Sequence, residues 1–374
     1  MAEVARAQAA GLTGRGHDVG VATAFDAAAT KEHWPAGVTV KQFKVSGAAI
    51  FQGGCQGETT RYEQFIASYE GDVILCNGWQ NWATDLALAS FPKSKARKVI
   101  VSHGFNAHVW YPHLRFAWGL GQWLRAQPYV WRLPKMMKAF DRLVFLSARC
   151  DGGRFFDHWF ASRFFSDRVS IIPNGVNLAE LGQARTDFRQ RWNITSKYLL
   201  LNVANYADRK NQIATLRDFM RANRPDATLV FIGSEFNDYS ANLKSFYESS
   251  RAAFPQAQAM FLEKIPKPDI NAAYRAADVF ILSAKQETMP LAILDAMACG
   301  VPFISTDTGC VSEFPGGRVI PTGLKTTQAI HQFLGDPDLR RQLGEQGRQA
   351  CQAKYDWNRV MDAYENMLDT LLRG

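Results

Sequence analysis

The sequence predicts an α/β protein made of two domains, each with a parallel sheet. Short apolar runs alternate with helical patterns throughout the 374 residues. The runs are near-continuous rather than alternating, as strands buried on both faces of a parallel sheet must be. They fall into two series separated by a Pro- and Gly-bearing turn, so two sheets are expected. A composition that is 47% hydrophobic supplies enough apolar side chain for two sizeable cores.

Residues 2–13 have a helical pattern, followed by the turn Gly14-Arg-Gly-His-Asp18. The first series of predicted strands is Val19–Ala22, Val73–Cys76, Val99–Ser102, Leu143–Leu146 and Val169–Ile172. Ile171-Ile-Pro-Asn-Gly-Val-Asn177 closes it. The second series is Tyr198–Asn202, Thr228–Ile232, Ala259–Leu262, Val279–Leu282 and Pro302–Ser305. From Tyr355 onward, apolar residues at helical spacing predict one amphipathic terminal helix. The expected domains are therefore 1–177 and 178–354, with 355–374 as a terminal helix. A doubly wound domain normally opens with a strand whose following loop meets the ligand. Here a helix comes first. The first domain is expected to lack its first strand and loop, through truncation or because another segment fills the place. Gly53-Gly-Cys-Gln-Gly57 has no Lys-Ser/Thr and follows no clear strand, so it reads as a flexible loop rather than a phosphate loop.

The net charge of +8 favours anionic partners, although a solvated basic surface explains it equally well. The six cysteines show no metal-ligand spacing and read as buried thiols of a reducing compartment. No signal peptide or bilayer-length apolar run is visible, which predicts a cytoplasmic protein, or one lying peripherally on the cytoplasmic face of a membrane.

The most informative stretch is Ser283-Ala-Lys-Gln-Glu287-Thr-Met-Pro290-Leu-Ala-Ile-Leu-Asp295-Ala-Met-Ala-Cys-Gly300. A strand enters a turn holding Glu287, and Pro290 opens a helix that carries Asp295. The first amides of a helix lack intrahelical partners and attract anions. An acid beside them suits a sugar hydroxyl better than a phosphate. The loop after Asn202 holds Asn205, Arg209 and Lys210. Adjacent cations there can neutralise a pyrophosphate, or simply be solvated. His103 follows a strand of the first domain. It can bond a substrate or the local backbone, and its spacing from His108 does not suit a metal pair. From Val109 to Phe140 there is no acid, and Arg115, Arg125, Arg132, Lys135 and Lys138 are interleaved with Trp110, Tyr111, Phe116, Trp118, Trp123, Tyr129 and Trp131. That mixture suits an anionic membrane interface, a lipid-linked acceptor, single-stranded nucleic acid, or a helical core with a solvated basic face. Nucleic acid is the weakest of these readings.

These residues resemble the retaining glycosyltransferases of family 4. The segment from Asp278 to Gly300, Ile172-Pro-Asn-Gly-Val-Asn177, Lys210 with its loop, Thr306-Asp-Thr-Gly309-Cys-Val-Ser-Glu313 and Tyr355-Asp-Trp357 carry the likeness. Ser102-His103-Gly104 carries it in the first domain. The resemblance implies the GT-B fold, two Rossmann-like domains facing across a cleft, with the last helix crossing back to the first domain. It implies that Glu287 contacts the transferred sugar, that the amides of Thr288, Met289 and Leu291 lie near the pyrophosphate, and that Asp295 bonds the ribose. Lys210 would stabilise the leaving diphosphate, His103 would reach the sugar, and the chain near Ile265 would meet the base. Asp295 stands where the family usually has a second Glu. Asn205 stands where it usually has an Arg, for which Arg209 is a substitute, and the Gly-Gly loop before the first helix is missing. The expected activity is retaining, metal-independent transfer from a nucleoside diphosphate sugar to a carbohydrate or lipid-linked acceptor, with no cofactor, in polysaccharide or glycoconjugate synthesis. The alternatives are a sugar-nucleotide epimerase of the same fold and a non-catalytic sugar-nucleotide or membrane-binding protein.

Overall fold

Parallel pairing of short apolar strands organises both halves of the chain. The computed structural model describes residues 2–25, 34–48, 54–105, 116–183 and 186–373. They form two units, Met1–Pro173 with Val360–Gly374, and Asn174–Arg359.

In the first unit, β1 (Gly20–Ala24) pairs in parallel with β2 (Thr39–Phe43). A short antiparallel pair follows, β3 (Val45–Gly47) with β4 (Cys55–Gly57). A separate parallel sheet runs in the order β5 (Val73–Asn77), β6 (Arg97–Ser102), β7 (Arg142–Phe145), β8 (Val169–Ile171). Its register pairs Ile100 with Cys76 on one side and Leu143 on the other. Val99, Ile100 and Val101 are fully buried, as the continuous apolar run requires. Around Ile100 the core gathers Tyr62, Phe91, Phe105, Leu133 and Phe140.

The glycine-rich segment expected to be a flexible loop is in part a strand. Residues 49–53 lie outside the described residues, but Cys55–Gly57 is paired. The physical reason lies at Gly57, whose φ is +97° and where a Cβ would stand 2.0 Å from the carbonyl oxygen of Lys44. Glycine serves close backbone approach here, not mobility.

The second unit holds six parallel strands: β9 (Tyr198–Val203), β10 (Ala227–Gly233), β11 (Gln258–Glu263), β12 (Val279–Leu282), β13 (Phe303–Ser305) and β14 (Gly317–Val319). Their spatial order is β11-β10-β9-β12-β13-β14. All seven residues of β10 are buried. The helix Trp357–Arg373 buries Val360, Met361, Tyr364, Met367, Leu368 and Leu371, and from Val360 onward it belongs to the first unit. There Gln8 Nε2 donates to the Tyr364 hydroxyl at 2.9 Å.

All six cysteines are free thiols; Cys76, Cys310 and Cys351 are buried, Cys55 and Cys299 half-buried, and Cys150 exposed. Exposure of Cys150 departs from the expectation of buried thiols. It lies in a polar loop, ahead of Asp151.

Candidate functional site

The six-stranded order of the second unit reverses direction between β9 and β12. Connections from these neighbours run to opposite sides of the sheet, which leaves a crevice outside their carboxyl ends. Lys210 follows β9 and Glu287 follows β12.

Beyond β9 the chain makes a single helical turn, Asp208–Lys210, and Asn211 adopts a left-handed conformation with φ 53°. Asn is among the few non-glycine residues that tolerate this region. The side-chain amide of Asn211 donates to the Ser283 carbonyl at 3.1 Å, joining the β9 loop to the end of β12. The amide of Lys285 donates to the Arg209 carbonyl at 2.8 Å, and Lys285 Nζ reaches Asp208 at 2.8 Å. Fully buried Gln212 holds the front of the loop, donating to the Asn205 carbonyl at 2.9 Å. These bonds fix the backbone on both sides of the crevice. Asn211, Gln212 and Lys285 are contributors that sequence reasoning missed; Asn and Gln at a strand-to-helix loop were the available signal.

Within that frame Lys210 Nζ donates to Glu287 Oε1. The two side chains retain 16% and 10% of their exposure, so the pair is largely withdrawn from water while still reachable. Each charge would be costly there without the other. The Glu287 turn is braced from β13's loop, where the Cys310 amide donates to the Thr288 carbonyl at 2.9 Å. Gly309 has φ +52°, and a Cβ there would lie 2.3 Å from the Thr288 carbonyl oxygen. Met289 is buried, and its Sδ accepts from the Asn174 amide at 3.2 Å. Pro290 caps the helix Leu291–Ala298 and gives its first turn no side-chain cap bond. Its leading amides therefore form a positive end beside Glu287.

Asp295 sits about one turn into that helix and is half-buried. Burial, with the Asp295 carboxylate as the second cause, pushes the thiols of Cys299 and Cys351 up to about 12. Asn205 and Arg209 are exposed on the same loop as Lys210. Ile265 is half-buried just after β11, two strands from β9, roughly 10 Å away across the sheet. The structure thus brings Lys210 and Glu287 into contact. It places Thr288, Met289, Leu291 and Asp295 on the adjoining turn and helix, and sets Ile265 apart from them.

His103 belongs to the first unit, immediately after β6. Its Nε2 lies 3.2 Å from Asn77 Oδ1, and Asn77 Nδ2 donates to Gln8 Oε1 at 3.0 Å. Burial lowers its pKa to about 4, so the ring is neutral at pH 7. His108 lies outside the described residues, as do residues 109–115 of the aromatic and basic stretch. Among the described residues, no group of three or more His, Cys, Asp or Glu is placed to hold a metal ion.

Two family models match the chain, Glycosyltransferase Family 4 over residues 1–180 and Glycosyl transferases group 1 over residues 184–350. The chain belongs to glycosyltransferase family 4. This family 4 glycosyltransferase is 26% identical over 199 residues to N-acetyl-alpha-D-glucosaminyl L-malate synthase of Bacillus anthracis, a match covering 50% of each chain. The matched stretch spans about half the length of the first curated relatives. Among solved structures, a sucrose-phosphate synthase from Thermosynechococcus elongatus matches with TM-score 0.73 at 18% identity, over 99% of this chain and 92% of that one. A glycosyltransferase from Rickettsia africae matches with TM-score 0.74 at 14% identity, over 100% and 95%. Those identities speak to the fold alone, and the fold of this family 4 member is GT-B, as the sequence predicted.

Proposed function

We propose that the protein transfers a sugar from a nucleoside diphosphate sugar to a carbohydrate or lipid-linked acceptor, with retention of configuration and without a catalytic metal. The observation that carries this reading is the Lys210–Glu287 contact at the reversal point of the six-stranded sheet. On this reading the Lys210 ammonium and the open amide end of Leu291–Ala298 share the charge that grows on the departing diphosphate. Glu287 turns to the hydroxyls of the transferred sugar once phosphate has drawn Lys210 away. Thr288, Met289 and Leu291 line the pyrophosphate, Asp295 bonds the ribose, Ile265 meets the base, and neutral His103 serves the sugar as a hydrogen-bond partner. Asn205 and Arg209 flank the phosphates, with Arg209 standing in for a missing guanidinium at Asn205.

Incubation with UDP-, GDP- and ADP-sugars and candidate acceptors, in the presence of EDTA, tests this. Transfer that survives EDTA supports the proposal, and transfer that requires an added divalent ion removes its metal-free part. Failure of every donor to support transfer overturns it. Binding of a nucleoside diphosphate with no turnover would leave a sugar-nucleotide binding protein.

The acceptor side draws support from the helix Phe116–Lys138. Leu124, Arg125, Pro128, Trp131, Arg132 and Lys135 are exposed at helical spacing, and Trp131 keeps 76% of its surface. A basic face with an exposed indole suits a lipid-linked acceptor at an anionic surface. Among the described residues no helix is long and apolar enough to cross a membrane. Co-sedimentation with anionic and with neutral vesicles tests the peripheral contact; equal recovery with both removes it.

A further inference from the structure

His103 carries a neutral ring at pH 7, because burial lowers its pKa to about 4. One ring nitrogen then holds a proton and the other a lone pair. Which nitrogen holds the proton decides where the ring donates and where it accepts. Side chains at the ends of β5 and β6 settle that choice.

The backbone around the ring is fixed first. Asn77, the last residue of β5, is in register with Val101 of β6, and the Gly78 amide donates to the Val101 carbonyl at 2.8 Å. Past Val101 the Ser102 hydroxyl donates to Asp157 Oδ2 and accepts from the Gly104 amide at 3.2 Å. The residues on either side of His103 are thereby joined to each other. The same carboxylate oxygen takes the Trp79 indole N–H at 3.0 Å, which ties the end of β5 to the end of β6. Ser102 and Asp157 are buried, so a broken bond there would leave a polar group without water. In this setting His103 Nε2 stands 3.2 Å from Asn77 Oδ1.

A line of side-chain amides leads away from that contact. Asn77 directs its Nδ2 to Gln8 Oε1 at 3.0 Å, so the atom it turns to His103 is its carbonyl oxygen, an acceptor only. Gln8 directs its own Nε2 to the Tyr364 hydroxyl at 2.9 Å. Each amide donates toward the terminal helix and presents its oxygen toward His103. Reversing Asn77 alone would set its oxygen against the oxygen of Gln8. A change of direction therefore has to run through Asn77, Gln8 and Tyr364 together, and Gln8 and Tyr364 are buried. Such a line is cooperative, because each bond orients the next.

We propose that Asn77 is a positioning residue that holds His103 in the tautomer protonated on Nε2, with Gln8 and Tyr364 setting the direction of the line. The lone pair of the ring is then at Nδ1, and a hydroxyl that bonds the ring there must donate to it. That last consequence rests on the proposed role of His103 toward the sugar. The tautomer itself stands on hydrogen bonds within the first unit.

Long-range proton–nitrogen correlation NMR on the full chain, labelled with 15N-histidine and held at pH 7, tests this. Loss of signals in His103→Gln identifies the ring. Nε2 should resonate as a protonated nitrogen and Nδ1 as a lone-pair nitrogen, with no averaging between them. Asn77→Leu removes the acceptor and should average the two shifts. Asn77→Asp keeps an acceptor in the same place and should keep the Nε2 proton. Tyr364→Phe preserves the packing of the ring, removes the end of the line and should introduce averaging at His103. A proton on Nδ1 in the native chain overturns the proposal, and so does an Nε2–H form that survives without averaging in Asn77→Leu. No change in Tyr364→Phe overturns the part given to Gln8 and Tyr364. If His103 serves the sugar, transfer should also fall roughly 5- to 10-fold in Asn77→Leu, the worth of one hydrogen bond. Averaged shifts with undiminished transfer would support the tautomer and overturn the sugar role.

Discussion

Lys210 and Glu287 are 77 residues apart in sequence and share a hydrogen bond in the folded chain. The contact exists because β9 and β12 are neighbours in the sheet although two strands separate them in sequence. A cation already paired with an acid has two uses. It is held in place before substrate arrives, and its partner is positioned for the ligand that displaces it.

If Lys210 carries the leaving-group charge, Lys210→Ala should reduce transfer by roughly 100-fold or more. Glu287→Gln keeps the shape of the side chain and removes its charge, so it should lower kcat more than donor affinity. Initial rates at saturating donor separate the two. Wild-type kcat in Lys210→Ala would remove the residue from the mechanism.

Asp295 is assigned to the ribose, so its removal should be felt only by ligands that have one. Asp295→Ala should weaken nucleoside diphosphate binding roughly 5- to 20-fold, the worth of one or two hydrogen bonds, and leave pyrophosphate binding unchanged. Calorimetric titration with each ligand reads the difference. Equal losses for both would place Asp295 at the phosphates instead.

Gly309 braces the Glu287 turn through its missing side chain. Gly309→Ala forces a Cβ toward the Thr288 carbonyl oxygen in a backbone region with φ +52°. A cost of about 1–3 kcal/mol in stability is expected, together with weaker donor binding as the turn shifts. Denaturant titration alongside donor affinity checks both; a stable variant with normal affinity would show that the turn does not depend on Gly309.

His103 is neutral because burial lowers its pKa from 6.5 to about 4. Between those values the unfolded chain binds the proton more readily than the folded one. Stability from the neutral ring is therefore complete above about pH 6.5 and is lost as pH falls toward 4. The difference in Tm between the native chain and His103→Gln should shrink across that window and be constant above it. A His103 NMR titration centred near 6.5 would contradict the assignment.

Much of this was legible because buried parallel strands write themselves as unbroken apolar runs. Val99–Ser102 and Thr228–Ile232 left little room for another reading. Thr39–Phe43 was missed because Lys41 and Gln42 interrupt its apolar residues, and Gly317–Val319 because three residues carry no period. The candidate site was legible wherever a residue type announces its chemistry, as at Glu287 and Lys210. It was not legible at Asn211, whose role depends on a left-handed turn and a carbonyl 72 residues away. Nor could spacing reveal that Lys210 and Glu287 touch, because strand order is a property of the whole sheet.

The bond between Gln8 and Tyr364 joins helices at opposite ends of the described chain. Met361 lies against Gly11, where a Cβ would sit 2.4 Å from its side chain. During synthesis at the ribosome the first unit emerges early, yet it must wait for residues 360–373 before its outer helix can dock. Until then the apolar surface that Met361 and Tyr364 will cover stays open to water and to chaperones. Stop codons in the last two turns of Trp357–Arg373 should therefore damage the half of the protein made first.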